Sequence, residues 1–127
     1  MLPIVGFLPA TDPRIKATIK AIAERLTGEH GLVYRYRAEG GVDGLAGSEG
    51  TFPLCTFWLA HAQALAGDVQ AARATFERAA RYANDLSLLS EEVDSETREL
   101  LGNFPQAFSH IGLVNAAWAI SQAEQNA

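Results

Sequence analysis

The chain has 127 residues, 48% hydrophobic and 20% charged, with a formal net charge of −5. That length suits one domain, or a piece of one, with room for a core. The acidic balance and the lack of any Lys/Arg run exclude a phosphate-backbone binder, so no nucleic-acid partner is expected.

Met1 to Pro9 is apolar, but it is short, broken by Pro3 and Pro9, and without a basic region. It is neither a secretory signal nor a membrane span, so no membrane partner is expected and the chain reads as cytoplasmic. A chain end is usually polar or frayed, and this one begins as if cut out of a packed core. Asp12-Pro13 then opens a helix over 13–27, with Asp12 as cap and Pro13 at the first helical position. Ile15, Ile19, Ile22 and Leu26 recur at helical spacing, and Gly28 is the expected stop.

Residues 28–50 hold seven of the eleven glycines, which predicts irregular backbone. Leu32 to Tyr36 alternates and reads as a short extended piece. A loop this long in a compact domain is usually functional or disordered, and Tyr34, Arg35 and Tyr36 suit an ordered, ligand-facing surface.

A nearly all-apolar helix follows over 51–66, with Phe52, Leu54, Phe57, Trp58, Leu59 and Leu65, and such a helix is buried. Cys55, the single cysteine, lies inside it and can form no intramolecular disulfide; an inert thiol is expected. Gly67-Asp68 stops that helix and caps an amphipathic one over 69–83, with Ala72, Phe76, Ala79 and Ala80 inward. The pair predicts a hairpin of one inner and one outer helix.

The second loop, 84–104, carries six of the fifteen acidic residues, with Glu91 and Glu92 directly after Leu88-Leu89-Ser90. Pro105 opens a last, mostly buried helix over 105–123 with Ile111, Leu113, Val114, Trp118 and Ile120. The long loops, bearing Arg35 and Glu91, each precede a buried helix, so both are expected at one end of an all-α bundle. No His or Cys pair has metal-ligand spacing, and no metal or other cofactor is expected.

Four blocks, in order, resemble glycoside hydrolase family 15, the glucoamylase family, and most closely its bacterial glucoamylase- and trehalase-like members. They are Leu2-Pro3-Ile4-Val5-Gly6-Phe7-Leu8-Pro9 with Asp12-Pro13-Arg14, then Gly31-Leu32-Val33-Tyr34-Arg35-Tyr36. Glu49-Gly50-Thr51-Phe52 with Cys55-Thr56-Phe57-Trp58-Leu59 follows, and last the most specific block, Leu101-Gly102-Asn103-Phe104-Pro105-Gln106-Ala107-Phe108-Ser109-His110-Ile111-Gly112-Leu113. The resemblance implies the C-terminal part of an (α/α)6 toroid, with inner and outer helices alternating, over residues 1–127. It implies inverting hydrolysis of an α-glucoside or oligosaccharide, with Glu91 as general base and Arg35, Tyr36, Glu49 and Phe52 against the sugar.

The family's general acid lies in an upstream Trp-Glu segment that has no counterpart here. The chain alone is therefore expected to be weak or inactive, a fragment or half-enzyme that pairs with a separate upstream half or self-associates through exposed inner helices.

Each sharp assignment has a plainer one beside it. Glu91 or Glu92 can be a solvated or helix-capping carboxylate, and either of the two can be the base. Arg35 can be a surface residue packed between tyrosines. His110 reads as a core histidine with one hydrogen bond, and Trp58 and Trp118 as core. The rival function is a tetratricopeptide-like interaction module built on the Phe57 to Ala80 hairpin, although a solenoid needs about three such units.

Overall fold

The computed structural model describes residues 1–37 and 49–126; residues 38–48 of the first long loop, Glu39 among them, and Ala127 lie outside the described residues. Among the described residues four helices carry the fold: α1 (Pro13–Leu26), α2 (Pro53–Leu65), α3 (Val69–Ala80) and α4 (Ala107–Gln125). A two-stranded antiparallel hairpin, β1 (Glu92–Val93) with β2 (Leu100–Leu101), lies between α3 and α4.

The helices start where the cap residues put them. Asp12 accepts the Arg14 backbone N–H at 2.9 Å, and Asp68 accepts that of Ala71 at 3.2 Å. Each thereby satisfies one of the donors a helix N-terminus leaves free. Gly67, at φ +83°, makes the sharp turn between α2 and α3. The end of α1 departs from expectation. Thr27 is already extended, and Gly31, at φ +79°, rather than Gly28 supplies the left-handed turn. The Arg37 guanidinium covers freed carbonyls there, donating to Arg25 O and Thr27 O at 3.1 Å each.

The centre of the fold is α2, which packs against α1, α3 and α4. Phe57 is fully buried and meets the Phe76 ring at 5.5 Å between centroids. Burying such a side chain contributes about 1.5–3 kcal/mol. The loops feed the same core, because Leu32, Leu89 and Val93 pack with Phe57, Ala60, Ala79 and Ala116. Gly112 allows α4 to approach closely, since a Cβ there would sit 2.9 Å from Leu54 Cδ1 and 3.3 Å from Phe57 Cβ.

The last helix is less buried than its composition predicts. Ser109, Gly112, Ala116, Ala119 and Ile120 face inward. Phe108, Ile111, Val114 and Trp118 lie 54–68% exposed along the other side. Trp118 is therefore a surface residue here and not core. The helix also begins later than expected: Pro105 precedes it, and Gln106 is its cap. Among the described residues no helix is long and apolar enough to cross a membrane.

Candidate active site

The two long loops meet. Tyr34 pairs with Thr51, and Thr51 pairs with Val93, so three extended segments lie side by side. Thr51 N donates to Val93 O and Val93 N to Thr51 O, both at 2.8 Å, and Phe52 N donates to Val33 O at 2.9 Å. The Thr51 hydroxyl, itself buried, adds a bond to Val93 O at 3.0 Å. A second threonine locks the ladder to α2: Thr56 Oγ1 accepts Val33 N–H at 2.9 Å and donates to Phe52 O at 3.0 Å. Backbone groups that would otherwise be orphaned in the core are thus paired.

Arg35 stands on the first segment. Its guanidinium forms an ion pair with Glu49 and lies over two rings, Phe52 at 4.8 Å and Tyr36 at 5.3 Å from the centroids. A planar cation held over an aromatic face keeps its outward donors oriented. Burial works against the Arg35 charge, but Glu49 and Tyr36 together outweigh it, and the guanidinium is held above its ordinary value. Glu49 is mostly buried, and its second oxygen accepts no hydrogen bond among the described residues. The structure therefore brings Arg35, Tyr36, Glu49 and Phe52 together.

The carboxylates of the second loop enter from the hairpin. Glu92 reaches back to the first loop, where its Oε2 accepts Gly50 N–H at 3.3 Å. Glu91 turns instead to the chain that follows β2. Its Oε2 accepts from Asn103 N at 3.0 Å and from Asn103 Nδ2 at 2.8 Å. The hairpin turn is built on Asp94, whose Oδ1 accepts from Glu96 N at 2.8 Å and Thr97 N at 2.7 Å. Those bonds hold the Asp94 carboxyl below its usual value.

The chain just before Glu91 is strapped to the first turn of α4. Ser109 Oγ donates to Ser90 O at 2.8 Å, and Gln106 N donates to Leu89 O at 2.8 Å. Ser90 Oγ donates to Glu92 O at 2.6 Å. His110 completes the strap. Its Nδ1 lies 2.7 Å from Gln106 O, which assigns the proton there, and its Nε2 accepts Leu89 N–H at 3.3 Å. It is a half-buried structural histidine with two bonds rather than one.

Cys55 is partly buried on α2, and burial pushes its thiol up to about 11 against the opposing charge of Arg35. A neutral thiol of that kind is a poor nucleophile. It lines an apolar groove of about 290 Å³ beside α1, together with Ile15, Ile19, Trp58 and Arg35. Among the described residues no group of three His, Cys, Asp or Glu side chains could hold a metal ion.

Sequence reasoning singled out Arg35, Tyr36, Glu49, Phe52 and Glu91, but missed the parts that join them. Thr51, Asn103 and the hairpin carry no local signal. Only the preference of Gly102 for a left-handed turn, at φ +71°, is visible in the sequence.

Residues 1–118 match the model of glycosyl hydrolases family 15. The chain is 51% identical over 124 residues to a trehalase of Mycolicibacterium smegmatis, covering 98% of this chain and 18% of that protein. It is 45% identical over 127 residues to a trehalase of Mycobacterium tuberculosis, covering all of this chain and 18% of that protein. A trehalase of Thermoplasma acidophilum is 44% identical over 122 residues, covering 96% of this chain and 20% of that protein. The chain thus spans about a fifth of the length of these curated relatives. No solved structure matches it. With a family match over nearly its whole length, this chain belongs to glycosyl hydrolases family 15.

Proposed function

We propose that this chain is the base-bearing part of an inverting α-glucoside hydrolase, and that the glucoside is trehalose. The observation that carries the reading is the junction at Thr51, where the segment of Arg35 and the segment after Glu91 share one ladder, in a chain similar to trehalases. Arg35, Tyr36, Glu49 and Phe52 form the wall that takes a sugar. The guanidinium offers a fork of donors to hydroxyls, and the rings offer faces to the apolar side of a pyranose.

In this reading Glu91 accepts a proton from a water molecule as that water's oxygen bonds to the anomeric carbon. The glycosidic C–O bond breaks on the opposite face, and a general acid protonates the leaving oxygen. Inversion requires the two carboxyl groups to stand about 6.5–9.5 Å apart, with the water between base and sugar. Glu92 is the weaker choice of base, because among the described residues one 3.3 Å bond from Gly50 N holds its carboxylate, whereas two donors of Asn103 hold that of Glu91.

The acid comes from the part of the catalytic domain that the relatives carry beyond the matched stretch. The rest of an (α/α)6 toroid then covers the exposed face of α4. Phe108, Ile111, Val114 and Trp118 span about 15 Å of helix at 1.5 Å per residue, and a helix apolar on all sides suits burial on both. No observation favours the helical-repeat reading.

The test is a chimera in which this chain replaces the matched 124 residues of the Mycolicibacterium smegmatis trehalase. The expected outcome is trehalose hydrolysis, with proton NMR of early product showing α- and β-glucose in equal amounts, as inversion at one anomeric carbon requires. A folded chimera without turnover, or one releasing α-glucose alone, contradicts the proposal. The isolated chain should show none of this activity.

A further inference from the structure

We propose that Asn103 is a positioning residue for Glu91, holding one carboxylate oxygen so that the other alone is presented to water. The proposal rests on the reading of Glu91 as the base.

Asn103 clasps Glu91 by three bonds. Its backbone N and its side-chain Nδ2 both donate to Glu91 Oε2, at 3.0 and 2.8 Å, while its carbonyl accepts Glu91 N–H at 2.9 Å. Two donors converging on one oxygen fix the rotation of the carboxylate as well as its place. No bond to Glu91 Oε1 is formed among the described residues, so that atom is the one left to take a proton. Glu92 has no such clasp, only the single 3.3 Å bond from Gly50 N.

Gly102 makes the clasp possible. At φ +71° it turns the chain so that Asn103 N and Nδ2 face the same oxygen. A Cβ on Gly102 would lie 2.9 Å from Glu91 Oε2 and 3.0 Å from Glu91 Cβ, so the carboxylate rests against bare backbone. The Leu89 and Ser90 straps to α4 fix the chain on the other side of Glu91. The side chain is therefore held from both directions, with its amide partner supplied by the chain just after β2. A general base held this firmly keeps its lone pair aligned with the attacking water, and misplacement by about 1 Å can cost about 10²-fold in rate.

Asn103→Ala removes the amide donor and leaves the two backbone bonds of the clasp, so the hairpin persists. In the chimera, kcat for trehalose should fall about ten- to a hundredfold, with KM changed less than about twofold and the melting temperature nearly unchanged. Asn103→Asp keeps the shape but sets a carboxylate against a carboxylate, and its kcat should fall further. Placed in a Glu91→Gln background, Asn103→Ala should produce no additional loss, because a residue that acts only through Glu91 has nothing left to act on. A structural residue would instead lower both backgrounds equally and shift melting. Unchanged kcat in both Asn103 variants, or an equal loss in the Glu91→Gln background, overturns this proposal while leaving the base assignment standing. Full activity of Glu91→Gln alone overturns the base assignment itself.

Discussion

Arg35 and Cys55 show how one environment sets opposite chemistry on neighbouring side chains. Despite burial, the guanidinium, a strong base in any setting, is held further above its ordinary value by Glu49 and Tyr36. Burial raises the Cys55 thiol, and the nearby Arg35 charge offsets only part of that rise. With its value pushed up to about 11, Cys55 should be almost wholly protonated at pH 8. Alkylation by iodoacetamide should therefore run at least about tenfold slower in the native chain than in denaturant, where an ordinary thiol near 8.5 returns. Equal rates in the two states would show that the site around Cys55 is open to solvent. At this scale the sequence is informative where a residue type alone implies its chemistry. Arg35 between two tyrosines and a cysteine in an apolar run were readable. Asn103 was not, because an asparagine in a polar loop carries no sign of which carboxylate it will meet.

The helices follow from local chemistry, and so does their pH dependence. The bond from Arg14 lowers Asp12 to about 2 from its ordinary 3.8. A carboxyl with a depressed folded-state value adds stability that is fully present above the unfolded value and lost as pH falls through the folded one. Asp12→Ala should therefore melt below wild type at neutral pH, with the gap closing as pH falls from 3.8 towards about 2. Circular dichroism of helix content across that range checks it, and a gap independent of pH would contradict the cap assignment. Pro13, Asp68 and Gly67 announced their helix boundaries because each has one dominant backbone use. The hairpin could not be announced. β1 and β2 are two residues each, Leu100 and Leu101 stay exposed, and so no alternation of burial marks them. Glu91 and Glu92 thus read as a polar loop, when Glu92 stands on, and Glu91 directly precedes, the strand that brings the second loop to the first.

Taken whole, the described residues form a packed core with an exposed apolar stripe along α4. The core forms around α2, whose apolar character on nearly all sides correctly implied burial. The same argument applied to α4 overstated its burial, since composition reports the neighbours a helix suits and not those it has. In the proposed reading the exposed stripe on α4 is covered by the rest of a ring of helices, and the chain spans about a fifth of the relatives' length. The loops converge at Thr51, and the proposed reading is that this convergence carries a general base. Its most direct test is trehalose turnover by the chimera with Glu91→Gln beside Glu92→Gln. A lost general base should lower kcat by about 10²–10⁴-fold, so the Glu91 variant should fall by that amount while the Glu92 variant stays within about tenfold of the parent. The reverse ranking, or a Glu91 variant as active as its parent, would contradict the account.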